Sequence, residues 1–258
     1  MDRVSAVKKI NGLLELDRKA IGVKLVTELQ YRSFEAKGLV KPMRYCVAVK
    51  CAMAGQSVKI DRKTSGCPGG SRALGLIEPP EPFFSGVHGC GMGLYKSEQV
   101  ASAVARSVPM ISPDTYGIIV KPLELFETDP DVVLIAAESR TIMRVLQGYT
   151  FTYGLPTGMH MSGNQAVCVE CTATPMKTGS VNVSMMCSGT RHSADWKDTE
   201  SMIGIPFAGF YGTVEGIEGT VNAVEPDDRK RSIETALRGA KLLDIEVEYG
   251  KTYYARKK

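Results

Sequence analysis

The sequence predicts an α+β fold of two related α/β halves, an internal duplication packed around a pseudo-two-fold axis. Three observations lead there. Amphipathic helical patterns and short aliphatic strand patterns intermingle without a regular βαβ period. Val47-Ala48-Val49-Lys50-Cys51 resembles Val167-Cys168-Val169-Glu170-Cys171, and the stretches that follow each of them are also similar. The 258 residues contain no Pro- or Gly-rich segment long and polar enough for an interdomain linker. The expectation is a single compact domain over 1–258, with halves at about 1–125 and 126–258.

The elements follow in order. Val4, Val7, Ile10, Leu13 and Leu14 recur at helical spacing, which predicts an opening helix over 3–17. Ala20 to Val26 is rich in β-formers and predicts a strand. Tyr45 to Ala54 is apolar throughout and fits helix or strand, and Ser57 to Ile60 reads as a short strand. Ser97 is placed to cap a helix carrying Val100, Ala101, Val104 and Ala105. Gly117 to Val120 and Val132 to Ala136 are short aliphatic runs between turn residues, as buried strands are. Ser139 to Tyr149 reads as helix. Val181, Val183 and Met185 alternate with polar residues, a half-buried strand. Asp228 to Leu243 reads as helix, and Ile245, Val247 and Tyr249 alternate with Glu246 and Glu248 as a last strand. The Pro- and Gly-rich stretches 66–70, 78–93 and 154–163 read as loops.

Composition narrows the function classes. With 43% hydrophobic and 23% charged residues the chain is not disordered, collagen-like or coiled-coil. Lys and Arg number 32 against 28 acidic residues, and they are scattered apart from Arg229-Lys230-Arg231 and the last three positions. That is not a nucleic-acid footprint. The longest aliphatic run, Val132 to Ala137, is far too short to cross a bilayer. The first 17 residues lack the continuous apolar region of a secretory signal. The expectation is a cytoplasmic protein with a small-molecule or redox partner and neither nucleic acid nor membrane. In a reducing compartment its seven cysteines read as core residues, metal ligands or reactive thiols rather than disulfides.

The repeat organises those cysteines. Ser57-Val58-Lys59-Ile60 corresponds to Ser180-Val181-Asn182-Val183, and Cys67-Pro68-Gly69-Gly70 to Cys187-Ser188-Gly189-Thr190. Leu74-Gly75-Leu76 and Ile203-Gly204-Ile205 come next, ahead of Pro82-Phe83 and Pro206-Phe207. Cys46, Cys67, Cys168 and Cys187 then supply two thiols from each half, and a small shift of alignment substitutes Cys51 and Cys171. Converging thiolates are what an iron–sulfur cluster needs, and Gly69 and Gly189 let backbone N–H groups approach its sulfides or another anion. A 4Fe–4S cluster between the halves, serving redox chemistry or electron transfer, is the leading expectation. Arg191, just after the second turn, is placed to clamp an anionic group. Two alternatives remain open. One is a non-redox module binding a small molecule or cofactor, with a groove lined by Met159, Met161, Met176, Met185 and Met186. The other is a structural zinc site using Cys168, Cys171, Cys187 and His192; against it, a strand over 168–171 would point its two thiols to opposite faces. Gly89-Cys90-Gly91-Met92-Gly93 lacks the context of a nucleotide-binding loop.

Several of these segments together resemble the domain-of-unknown-function family 169, the uncharacterised ArCR family. They are Cys46-Val47-Ala48-Val49-Lys50, Ser65-Gly66-Cys67-Pro68-Gly69-Gly70 with Ala73-Leu74-Gly75-Leu76, Pro122-Leu123-Glu124 and Pro130 to Ile135. They continue with the helix through Met143 and Leu146-Gln147, Cys168 with Pro175, Asn182-Val183-Ser184, Cys187-Ser188-Gly189-Thr190-Arg191 and Glu200 to Pro206. The resemblance spans about residues 10–215. It implies that Cys46, Cys67, Cys168 and Cys187 are the recurring cysteines, ahead of Cys51 and Cys171. Some similar proteins carry another cysteine where this chain has Thr190, which speaks against a C-x-x-C role at that turn. The family supplies no established activity.

Overall fold

The computed structural model describes residues 1–34, 37–38 and 41–254. In chain order its elements are α1 (Arg3–Leu14), β1 (Ile21–Val26), α2 (Glu28–Ser33), β2 (Lys37–Gly38), α3 (Tyr45–Met53), β3 (Val58–Asp61), α4 (Pro68–Ala73), α5 (Glu81–Phe84), α6 (Val87–Gly91) and α7 (Glu98–Ser107). They continue with β4 (Gly117–Pro122), β5 (Val132–Glu138), α8 (Ser139–Tyr153), a π-helix (Ala166–Ala173), α9 (Thr174–Thr178), β6 (Asn182–Ser184), α10 (Ser188–Ala194), β7 (Glu200–Pro206), α11 (Phe207–Gly219), α12 (Val221–Val224) and α13 (Asp227–Ala240). The mixed α/β class is as the sequence predicts.

The seven strands form one sheet in the order β2-β3-β4-β1-β5-β7-β6. Every pairing is antiparallel except the short β2–β3 contact. The middle of the sheet is the β1–β5 pair, with Ile21 opposite Leu134 and Val23 opposite Val132. Outward from it the order runs β4 then β3 on one side and β7 then β6 on the other.

Strand alternation sorts the side chains into two cores. Val132, Leu134 and Ala136 of β5 face one side, where α3, α4 and the π-helix pack through Tyr45, Ala48, Val49, Ala73, Leu74, Val167 and Val169. Val133 and Ile135, with Ile203 and Ile205 of β7, face the other, under α1, α8, α11 and α13. The candidate site belongs to the first layer. Gly204 of β7 holds that layer close, because an added Cβ would overlap the Cys171 carbonyl of the π-helix.

The polar residues of the first layer anchor the π-helix. Asn182 of β6 donates from Nδ2 to the carbonyls of Glu170 and His160, each at 2.8 Å. The buried Glu170 carboxylate accepts from the N–H groups of Ser162 (2.6 Å) and Gly163 (3.0 Å) and bonds Ser184 Oγ. Tyr45 OH sits 2.9 Å from Thr172 Oγ1, which donates to the Val167 carbonyl at 2.8 Å. These bonds satisfy buried groups that a wider helical turn would otherwise leave unpaired.

Some local expectations are corrected. Residues 168–171 lie in the π-helix, not a strand, because their partners are within the chain segment and on β6 side chains rather than on a ladder. The 78–93 stretch holds the short helices α5 and α6. Cys67 and Pro68 open a helix, with Pro at a first-turn position where its missing N–H costs nothing. Ile245 to Tyr249 alternates like a strand but pairs with none. Glu248 N–H donates to Asn222 Oδ1 at 2.8 Å, and Asn222 Nδ2 and Lys230 Nζ bond the carbonyls of Glu246 (2.8 Å) and Glu248 (2.7 Å). Side chains of α12 and α13 thus satisfy this backbone in place of a neighbouring strand.

Candidate functional site

Cys46, Cys67, Cys168 and Cys187 line a single cavity of about 130 Å3. Each is held at the start of a helix. Cys46 follows Tyr45 at the head of α3, and Cys168 lies in the first turn of the π-helix. Cys67 is the residue that caps α4: its Sγ accepts from Gly70 N–H at 3.5 Å. Cys187 caps α10 in the same manner, accepting from Thr190 N–H at 3.3 Å. The second position of each capped helix is a glycine, Gly69 or Gly189, and a Cβ added there would lie 3.7 Å from Cys67 Sγ or 3.9 Å from Cys187 Sγ. Both glycines line the cavity, so its wall is bare backbone beside sulfur.

The remaining wall residues include Tyr45, Gln165, Thr190 and Arg44. Thr190 Oγ1 is 3.2 Å from Cys187 Sγ. All four cysteines are half-buried and free. Burial pushes the Cys168 thiol well up from its ordinary value, and the neighbouring sulfurs of Cys67, Cys187 and Cys46 push it further. Cys46 is raised mainly by burial too, with an opposing contribution from the Thr190 hydroxyl. Buried thiols that raise one another in a shared cavity favour their protonated form unless a cation joins them.

The geometry sorts the other candidates. Cys171 is fully buried on the sheet side, with Sγ 3.5 Å from the Met202 carbonyl, and is not part of the cavity wall. Cys51 packs against the core and Cys90 lies on α6. Among the described residues no three of His, Cys, Asp and Glu are gathered tightly enough for one metal ion, so neither the Cys168, Cys171, Cys187 and His192 set nor the Cys46, Cys67, Cys168 and Cys187 set closes around a single ion. The π-helix turns Cys171 away, and His192 is exposed. Arg191 points elsewhere. Its guanidinium donates to the carbonyls of Met185 (2.8 Å) and Glu200 (3.0 Å) and bonds Lys197 O, tying α10 to the entry of β7. The expected methionine groove is not formed: Met159, Met161 and Met185 are exposed, Met186 is core and Met176 packs against the core.

Sequence reasoning missed what adjoins the cysteines. A second, larger chamber of about 400 Å3 shares Arg44, Cys67, Gly69, Gln165, Cys187 and Gly189 with the first. Its outer wall comes from α5, α6 and α7, including Phe83, His88, Tyr95, Ala101 and Val104. Arg72 of α4 also lines it. The available signal was Arg72 itself, a charge set between Gly70 and the apolar run Ala73-Leu74.

Comparison with known proteins fixes the class. The model of the uncharacterised ArCR domain-of-unknown-function family 169 matches residues 9–216, and the chain belongs to that family. It is similar to an uncharacterized protein of Methanocaldococcus jannaschii, 25% identical over 215 residues that cover 82% of this chain and 91% of the relative. No solved structure matches. No helix among the described residues is long and apolar enough to cross a membrane.

Proposed function

We propose that the protein is an iron–sulfur protein in which Cys46, Cys67, Cys168 and Cys187 hold a 4Fe–4S cluster for one-electron transfer to or from a redox partner. The observation that carries this reading is that four cysteines, far apart in sequence, line one cavity. A cubane takes one thiolate at each iron, so it accepts a wider ring of sulfurs than a single tetrahedral ion does. That difference favours a cluster over zinc here. Gly69 and Gly189 leave room for bridging sulfides, and the N–H groups of Gly70 and Thr190 already point at ligand sulfurs, a contact that tunes cluster potentials. Two thiols come from 1–125 and two from 126–258. The mirrored strand order about β1–β5 supports reading these as two related halves of one domain, with the cluster between them.

Anaerobic purification followed by iron and sulfide analysis tests the reading. The expected result is about four irons and four sulfides per chain with absorption near ~400 nm that bleaches on reduction. Serine at any one of the four positions should lower the iron content, whereas Cys51→Ser and Cys90→Ser should keep it. A colourless protein after anaerobic reconstitution with iron and sulfide would refute it.

A further inference from the structure

The larger chamber holds a buried cation without an anion. Arg72 is 6% exposed and has no carboxylate partner among the described residues. Its guanidinium carbon lies 3.7 Å from the centre of the Phe83 ring, and one terminal nitrogen reaches Gln165 Oε1 at a long 3.4 Å. Its Nε is buried with no hydrogen-bond partner at all. An unpaired buried guanidinium is costly, so a structure that keeps one is a structure waiting for an anion. Burial already weakens its hold on its proton, against an opposing influence of the Cys168 and Cys67 sulfurs.

The chamber around it has the dimensions of a small-molecule site, whose usual range begins at roughly 300 Å3. Its walls are mainly apolar and flat-faced: Phe83, Tyr95 and Val104, with the His88 ring at the edge. The exposed Arg44 stands at the seam between chamber and cysteine cavity. One buried cation calls for one negative charge, and aromatic walls call for a planar apolar body. We infer that the chamber binds a small aromatic or similarly planar monocarboxylate, its carboxylate on Arg72 and its ring against Phe83 and Tyr95, directly beside the cysteine cavity. The assignment deepens the iron–sulfur reading by naming the substrate class of the same site. It stands on Arg72 and the chamber rather than on any metal.

Titration calorimetry with benzoate, and with benzamide as its neutral isostere, tests it on the full chain, both as purified anaerobically and after metal removal. Benzoate should bind at least about tenfold more tightly than benzamide, the worth of one charge-assisted contact. Arg72→Gln should weaken benzoate by about ten- to a hundredfold while leaving benzamide unchanged, and Arg72→Lys should recover only part. Val104→Phe, which fills the chamber without touching Arg72, should weaken both probes. Equal affinity for benzoate and benzamide, or no binding of either by wild-type protein up to ~10 mM, overturns the inference. If Arg72 serves the thiolates instead, Arg72→Gln lowers iron content and leaves benzoate affinity unchanged, which also overturns it. A protein that binds no iron yet discriminates benzoate from benzamide would sink the iron–sulfur reading alone.

Discussion

Single residues in this site face a conflict between burial and charge. Cys168 and Cys46 are thiols whose ionisation burial opposes, and Arg72 is a cation whose burial is uncompensated. The thiols carry a pH consequence. Their folded values lie above those of the unfolded chain, so between the two the folded protein holds protons that the unfolded chain has released. Stability of metal-free protein is then fully present below about pH 8.5, the unfolded thiol value, and falls as pH rises beyond it. Thermal melts of reduced, metal-free protein from pH 7 to 10 should show a falling Tm that flattens in the Cys46→Ser, Cys168→Ser double variant. A Tm independent of pH would mean that these thiols are not desolvated. Arg191 shows the opposite case: a candidate anion ligand whose two terminal nitrogens are committed to the backbone carbonyls of Met185, Lys197 and Glu200. Its position after a glycine turn was visible in the sequence, but the carbonyls it meets were not.

At the scale of elements, α4 and α10 are each started by a cysteine in the capping position. Cysteine is a weak acceptor, whereas serine is among the best capping residues. Cys67→Ser and Cys187→Ser should therefore leave Tm unchanged or raise it and, on the iron–sulfur proposal, lower the iron content. Alanine at the same positions should cost about 1 kcal/mol through the lost cap. Chemical denaturation beside iron analysis separates these effects; a large destabilisation by serine would mean the sulfurs carry structural weight of their own. The π-helix depends on the sheet beneath it. Gly204→Ala places a methyl group against the Cys171 carbonyl and should cost about 1–3 kcal/mol, the range for overpacking. Because the shift it forces falls on the helix carrying Cys168, the iron–sulfur proposal expects iron content to fall with it. Sequence periodicity found α1, β1, β3, α7, β4, β5, α8, β6 and α13 but missed the π-helix, the strand β7, the long helix α11 and the short helices α2, α4, α5, α6, α9, α10 and α12, since short or wholly apolar runs carry no decisive period. It also read 245–249 as a strand, where the alternation matches a surface segment that keeps Ile245 on the second core.

Over the whole molecule, the sheet separates the cysteine layer from a layer held by buried ion pairs. Arg144 of α8 and Glu225, each 2% exposed at the side chain, pair at 2.7 Å, and Arg144 also donates to the Ile217 carbonyl at 2.9 Å. Arg140 Nη2 also holds the Glu225 carboxylate at 2.7 Å, so Arg144→Met should cost less than the about 3–5 kcal/mol of a fully stranded buried charge, and Arg140→Ala with Arg144→Met should reach that range. On the iron–sulfur proposal, iron content at temperatures below the melt should be unchanged in both, because the seven-stranded sheet lies between this pair and the cysteines. A parallel loss of iron would show that the two layers are coupled through the sheet.

The sequence by itself determined the mixed α/β class, the strongly periodic helices and strands such as α1, α7, α8, α13, β4 and β5, and the four cysteines worth watching, because periodicity, caps and local sequence similarity are properties of neighbouring residues. It marked Gly69 and Gly189 for the same reason. Only the tertiary structure decided that Cys46, Cys67, Cys168 and Cys187 share one cavity and that Cys171 does not, since that choice turns on the π-helix and its seat at Gly204. It alone withdrew Arg191 and exposed Arg72, because whether a guanidinium is satisfied depends on carbonyls and carboxylates brought to it from distant parts of the chain.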